Sequence, residues 1–364
     1  MDNTFYHENN LSGLKRQDFQ KSINGKETDL FIISNDNGAE IAVTNYGGAI
    51  LTIMVPDKNG KIENVIQGHD CIDNVINSPE PFLSTLIGRY GNRIAKGKFK
   101  LDGKEYNLTI NNGPNSLHGG PTGFHARVWD AEQTSKQSVT LHYLSKDGEE
   151  GFPGNLDITV IYTLSDNNEL IITYTATTDK KTLVNLTHHA FFSLSGVKTP
   201  TPSVENNILT INADFYTPID EVSIPTGEIS KVEGTPMDFR TPQTVGSRIN
   251  DKFQQLIYGA GYDHCYVINK EEQGALTFAA KCVEPNSGRS IEVYTTEPGV
   301  QLYTANWHSG FAGYHGATFP ARSAICFEAQ RFPDTPNKGH FPSAVLSPGE
   351  TYHQVTVYKF GIEK

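Results

Sequence analysis

Two adjacent histidines, His188 and His189, are the residues of this chain best suited to chemistry. They follow a strand-like run and precede an alanine and two phenylalanines, and no metal-binding motif stands beside them. The ordinary pKa of histidine lies close to neutral pH, so a fixed imidazole gives or takes a proton at little cost. The pair therefore indicates proton transfer rather than metal chemistry.

Two carboxylates, Asp263 and Glu328, are candidate partners for such a histidine, since each lies at one end of an apolar strand-like run. Side chains alternate along a strand, so Asp263 shares a face with Cys265, and Glu328 shares one with Cys326. If the cysteines point inward, so do the carboxylates. Burial raises the pKa of a glutamate, which makes it a general base near neutral pH. The alternative is a pair of strand-end carboxylates that face water.

Polar residues in two glycine-containing segments are further candidates. Arg89 and Arg93 lie four residues apart, and Asn92 lies beside Arg93. A guanidinium presents a rigid fork of donors suited to hydroxyl or carboxylate oxygens, although a structural ion pair is the alternative. His118 precedes two glycines, which allow a tight loop and close approach by a ligand. Taken alone, this histidine is equally compatible with a solvated loop.

The elements that must position these residues are predicted to be β-strands. Alternating or β-branched runs, separated by turn residues, recur along the chain. A hairpin is predicted around Asp102 and Gly103, between Phe99 and Leu108, and a short helix over 249–257. With no fixed repeat, this pattern favours an all-β protein, a large antiparallel β-sandwich. The other predicted strand runs are 41–44, 50–55, 139–144, 158–164, 170–176, 208–211, 276–280, 291–295, 300–304, 324–328 and 355–360.

Composition limits the partners and the compartment. The net charge of -11 argues against nucleic acid, which requires a basic surface, and no apolar run is long enough to span a membrane. Residues 1–12 are predicted to form a flexible leader before a single domain over 13–364. The polar start predicts a cytoplasmic protein, or a periplasmic or extracellular one if an export signal has been removed.

The four cysteines predict free thiols. They are widely scattered and show no C-x-x-C spacing, so the sequence encodes neither a disulfide framework nor a zinc site. Buried thiols are therefore expected at Cys71, Cys265, Cys282 and Cys326.

Together these segments resemble the aldose 1-epimerase, or galactose mutarotase, family. The resemblance covers nearly the whole chain, from Val43 to Glu350. It implies a β-supersandwich with a sugar cleft on one sheet, a free aldose as the small-molecule partner, no cofactor or metal, and a monomer or homodimer. The segments that carry it are 88–94, 115–120, 185–192, 234–240, 262–264, 293–301 and the strand with Glu328.

The resemblance also implies residue roles. Glu328 matches the base that takes the proton of the C1 hydroxyl, and His189 matches the acid that protonates the ring oxygen. The ring opens, the C1–C2 bond rotates, and reversal of both transfers closes the other anomer. His118 matches a second histidine near the ring oxygen or C1. The residues that match holders of sugar hydroxyls are Asn92, Arg93, Asp263 and Gln301.

One departure concerns the histidine pair. The family usually has asparagine at the position of His188 and Ser-Tyr-Phe at residues 190–192, so we interpret His188 as an outward or structural neighbour of His189. A one-residue bulge would exchange the two side chains.

The sequence leaves two alternative functions open: a glycoside hydrolase that uses Asp263 and Glu328 as its carboxylate pair, and a carbohydrate-binding protein without turnover.

Overall fold

Antiparallel β-strands make up most of the regular secondary structure in the computed structural model, which describes residues 5–363. The strands are β1 (Ser22–Ile23), β2 (Lys26–Glu27), β3 (Leu30–Ser34), β4 (Glu40–Thr44), β5 (Ile50–Pro56), β6 (Ile62–Asn64), β7 (Leu86–Ile87), β8 (Arg93–Ile94), β9 (Lys98–Leu101), β10 (Lys104–Asn107), β11 (Ser116–Leu117), β12 (Asp130–Ser135), β13 (Ser138–Ser145), β14 (Leu156–Leu164), β15 (Glu169–Thr178), β16 (Thr182–Leu183), β17 (Thr187–His188), β18 (Ile208–Ile211), β19 (Phe215–Thr217), β20 (Ser230–Lys231), β21 (Gln243–Thr244), β22 (Asp263–Val267), β23 (Thr277–Val283), β24 (Arg289–Thr295), β25 (Gly299–Tyr303), β26 (Ser309–Ala312), β27 (Thr318–Pro320), β28 (Cys326–Gln330), β29 (Val345–Leu346) and β30 (Tyr352–Ile362).

Helices are short. The α-helices within the described range are α1 (Ile72–Ile76) and α2 (Gln254–Gly259). Single 3₁₀ turns cover Arg16–Phe19, Ala95–Gly97, Phe124–Ala126, Glu149–Gly151, Val204–Asn206, Val245–Ser247, Tyr314–Gly316 and Thr335–Asn337. None of the helices in residues 5–363 is long and apolar enough to span a membrane.

Three sheets form the body of the protein. A nine-stranded sheet has the order β12-β13-β14-β15-β30-β24-β23-β18-β21, a five-stranded sheet the order β20-β19-β22-β25-β28, and a four-stranded sheet the order β3-β4-β5-β6. Alternate residues of β14 and β15 are fully buried, so the nine-stranded sheet presents one apolar face. That face shares one hydrophobic core with the five-stranded sheet, to which Tyr266, Leu302 and Phe327 contribute.

The all-β prediction is confirmed. Each predicted strand run overlaps an observed strand, and the predicted hairpin is β9 and β10, with Leu101 paired to Lys104 across Asp102 and Gly103. The helix prediction is partly wrong, because α2 begins only at Gln254 and Phe253 has an extended backbone. Ile249 contributes its apolar side chain to the core from a turn and not from the helix.

The structure describes only part of the predicted N-terminal leader. Residues 1–4 of the predicted leader lie outside the described residues, and the division at residue 13 stays a prediction. Ser12 is buried, and its backbone N–H and that of Leu11 donate to the Glu40 carboxylate at 3.0 Å each. All four cysteines are free, as predicted, and Cys265, Cys282 and Cys326 are buried. The prediction of burial is wrong for Cys71, which is partly exposed beside the start of α1.

Candidate active site

The five-stranded sheet positions the two candidate carboxylates on one face. Cys265 on β22 pairs with Gln301 on β25, which pairs in turn with Glu328 on β28, and Asp263 lies two residues before Cys265. Phe327, the neighbour of Glu328, points into the main core on the other face. Glu328 is 1% exposed, so its predicted inward orientation is confirmed.

The two histidines point in opposite directions. β17 pairs with β7 without a bulge, and the pairing continues where the His189 N–H donates to the Thr85 carbonyl at 2.9 Å. His189 faces Glu328, with 3.5 Å between its Nε2 atom and the Glu328 Oε1 atom. His188 lies in the core, with its ring centroid 5.8 Å from that of Tyr162. The outward interpretation of His188 is therefore wrong, because that face of β17 packs against the nine-stranded sheet.

A second pair of strands brings His118 to the same place. Leu117 on β11 pairs with Arg93 on β8, and the His118 N–H donates to the Asn92 carbonyl at 3.0 Å. In return, the Asn92 N–H donates to Nδ1 of His118 at 3.1 Å. Because Nδ1 accepts a hydrogen bond, a neutral His118 carries its proton on Nε2. His118 therefore offers a hydrogen-bond donor from its other nitrogen.

The glycine after His118 is required by close packing. Gly119 has a φ of +82°, and a Cβ atom there would lie 2.0 Å from the carbonyl oxygen of Gly88. The predicted tight loop thus packs against the protein's own backbone, and this contact holds the His118 loop against the segment that leads into Asn92.

Arg93 and Asp263 form the polar side of the site. The Arg93 Nη1 atom lies 4.0 Å from the Asp263 Oδ2 atom, and the Arg93 Nε–H donates to Asn112 at 2.9 Å. Gln301 donates from Nε2 to the Asp263 Oδ1 atom at 2.7 Å. Arg89, by contrast, is buried and donates to backbone carbonyls, including that of Pro153, so it is structural.

These side chains line one open cleft of about 350 Å³. Of the predicted site residues, Asn92, Arg93, His118, His189, Asp263 and Glu328 line it, whereas Gln301 lies behind Asp263. The sequence interpretation missed Glu80, Phe82, Tyr303 and Trp307, which also line the cleft. Tyr303 could have been found from the sequence, because it lies two residues after Gln301 and therefore on the same face of β25.

Burial controls protonation in the cleft. It lowers the pKa of His189 to about 3 and lowers the pKa of His118 well below its ordinary value. Burial also raises the pKa of Glu328, and the charge of Asp263 adds to this effect. Both shifts favour the neutral form of the side chain, an imidazole at His189 and a carboxylic acid at Glu328.

The donor set also has the composition of a metal site. One ligand atom from each of His118, His189 and Glu328 lies within 4.8 Å of the others, and two histidines with a glutamate are a known zinc ligand set. A ligating histidine donates the proton of its other nitrogen to a neighbour. His118 does the reverse, since its Nδ1 accepts from Asn92 and its Nε2 keeps the proton. The hydrogen bond from Asn92 therefore prepares His118 to donate from Nε2 to a ligand oxygen, and not to bind a metal.

Comparisons of sequence and of structure relate this chain to one family of proteins. A family model described as "Aldose 1-epimerase" matches residues 29–359. The chain is 42% identical to "Galactose mutarotase" of Bos taurus, over 88% of this chain and 91% of that protein. It is 34% identical to "Aldose 1-epimerase" of Escherichia coli K12, over 92% and 96% of the two chains. The crystal structure of an aldose epimerase homologue from C. elegans superposes with a TM-score of 0.85, at 31% identity, over 93% of this chain and all of that one.

Proposed function

The chain belongs to the aldose 1-epimerase family, and from that premise we propose how its cleft interconverts the α and β anomers of free hexoses such as D-galactose and D-glucose. The observation that carries the proposal is the 3.5 Å contact between Nε2 of His189 and Oε1 of Glu328. Mutarotation needs an acid and a base at two oxygens bonded to the same carbon, the C1 hydroxyl and the ring oxygen. Two groups this close reach both oxygens of one anomeric carbon.

Glu328 and His189 exchange protons through the sugar. In the competent state Glu328 is a carboxylate and His189 an imidazolium, which together hold one proton. Glu328 takes the C1 hydroxyl proton while His189 protonates the ring oxygen, and the bond between C1 and the ring oxygen breaks. The aldehyde then has a neutral acid and a neutral imidazole beside it, the state that burial favours. After rotation about C1–C2, the reverse transfers close either face.

The remaining residues hold the sugar for this exchange. His118, with its proton fixed on Nε2, donates to the oxygen at which charge develops during ring opening. Asn92, Arg93 and Asp263 bind sugar hydroxyls from the polar side of the cleft. Gln301 acts through Asp263, whose carboxylate it fixes by the 2.7 Å hydrogen bond. No step of this exchange needs an electron carrier or a group carrier.

The test is mutarotation of freshly dissolved α-D-galactose, followed by polarimetry. The protein should accelerate it, and Glu328→Gln, which keeps the side-chain shape, should lower kcat by ~10²–10⁴-fold, as expected for loss of a positioned base. Glu132→Gln on the exposed edge strand β12 is the matched control and should retain full activity. An unchanged rate in a folded Glu328→Gln variant would remove Glu328 from the role of base. Release of an aryl alcohol from an aryl galactoside, without mutarotation, would favour a hydrolase instead.

The oligomeric state, the compartment and the partners are further parts of the proposal. We infer a monomer or homodimer that acts on a free aldose in the cytoplasm, or in the periplasm or outside the cell if an export signal has been removed. The net charge of -11 supports the absence of a nucleic-acid partner. Light scattering of the purified protein tests the oligomeric state, and fractionation of the source cells tests the compartment.

A further inference from the structure

A third carboxylate, Glu80, lies in the same cleft and has no role in the proton exchange described above. It shares the cleft with Asp263 and Glu328. Prolines flank it on both sides, so the backbone of Glu80 has little freedom. Hydrogen bonds fix it further, because the Glu80 N–H donates to the Ser78 hydroxyl at 3.3 Å and the Leu83 N–H donates to the Glu80 carbonyl at 3.1 Å.

The turn that holds Glu80 is attached to the candidate catalytic histidines. Phe82 follows two residues later, and its ring centroid lies 4.7 Å from that of His118 and 6.4 Å from that of His189. The Phe82 N–H donates to the Glu80 Oε1 atom at 3.2 Å. The carboxylate is therefore positioned relative to both imidazoles by a single short turn.

The Glu80 carboxylate is partly exposed, lines the cleft and has few protein partners. Among residues 5–363 its side chain makes no ion pair, and the bond from Phe82 is its one protein hydrogen bond, so its second oxygen has no protein donor. Burial raises the pKa of Glu80 to about 7, and its charge in turn raises the pKa of Glu328 and of Tyr303. A sugar that enters the cleft displaces water from this partly exposed carboxylate, and sugar hydroxyls are donors that replace the lost hydrogen bonds.

We propose that Glu80 is a sugar-binding residue, which accepts a hydrogen bond from one hydroxyl of the aldose and thereby helps to set which sugar is preferred. The proposal rests on the proposed function and adds a contact to it. A site that bonds a hydroxyl through a charged group discriminates against a sugar that lacks this hydroxyl, because the group is then left unpaired. Glu80 therefore contributes to recognition of a polyhydroxylated, uncharged ring.

The experiment compares Glu80→Ala with the unaltered protein on D-galactose and on a panel of its monodeoxy derivatives. We expect Glu80→Ala to raise KM for galactose about tenfold or more, with a smaller change in kcat. With the unaltered protein, the KM for one of the deoxy sugars should exceed the KM for galactose by a similar factor. With Glu80→Ala, the two KM values should be nearly equal, because the hydrogen bond is already lost. Glu80→Gln, which keeps an uncharged acceptor, should recover part of the loss.

Two controls separate this contact from a structural role. Asp73→Ala removes an exposed carboxylate from the neighbouring helix α1 and should leave KM unchanged for every sugar. An unchanged KM in folded Glu80→Ala, or equal losses on every deoxy sugar in both proteins, overturns the proposal. If Glu80→Ala does not fold, the same comparison is made with Glu80→Gln. If the unaltered protein does not accelerate mutarotation, the proposed function fails, and calorimetric affinities for the same panel still decide the role of Glu80.

Discussion

The opposite orientations of His188 and His189 lead to a paired prediction. Replacing each in turn by asparagine should separate catalysis from stability. His189→Asn removes the group that lies 3.5 Å from Glu328 in the cleft. His188→Asn instead alters a residue that is 1% exposed and packs edge-on against Tyr162.

The expected magnitudes follow from these surroundings. Loss of a positioned acid costs ~10²–10⁴-fold in rate, so His189→Asn should lose kcat by that factor. His188→Asn loses an aromatic contact and some buried volume, which together cost about 1–2 kcal/mol of unfolding free energy.

The assay combines polarimetry with urea unfolding on both variants. We expect His188→Asn to keep kcat within about threefold of the unaltered protein, a change below 1 kcal/mol, while its unfolding midpoint falls. His189→Asn should unfold close to the normal midpoint and be nearly inactive. A folded His188→Asn variant with the large kcat loss, together with an active His189→Asn variant, would refute the assignment and the strand geometry on which it rests.

Two further predictions concern pH and backbone packing. Because the proposed exchange needs one proton on the His189–Glu328 pair, kcat/KM should fall in acid, as the pair takes a second proton against the lowered pKa of His189, and in alkali, as Glu328 loses the last proton at its raised pKa. Titration of Glu80, whose pKa burial raises to about 7, should change kcat/KM between these limits, and a kcat/KM that is constant from acid to alkali would contradict the assignment. Gly119→Ala should destabilise the protein by at least ~2 kcal/mol more than Gly60→Ala in urea unfolding, since both have φ near +80° but only Gly119 meets a backbone oxygen.

Local periodicity explains which parts of the fold were predictable. The strand runs and the inward side of Glu328 follow from alternation over a few residues, which does not depend on distant partners. The position of Glu80 does not follow from such a pattern, since it lies in a turn between α1 and β7. Its place in the cleft depends on contacts of Phe82 with His118 and His189, which are far away in sequence.

The histidine pair shows the same limit in a stricter form. Alternation required that His188 and His189 point to opposite faces, but it did not decide which face belongs to the cleft. That depends on the pairing of β17 with β7 and on the packing of His188 against Tyr162. Gln301 is similar: its residue type suits a sugar hydroxyl, yet its position in the sheet directs its amide to Asp263.

The burial of the site and its chemistry are connected through the position of one proton. Because the side chains of His189 and Glu328 are buried, separated charges on them are unfavourable and the neutral pair is favoured. In the proposed exchange, ring opening converts the charged pair to the neutral pair, so burial favours the direction in which the bond between C1 and the ring oxygen breaks. Closure must restore the charges, and donors such as His118 Nε2 stabilise the oxygen during that step. In this proposed mechanism, a cleft that held the neutral pair too strongly would slow the closure of the aldehyde.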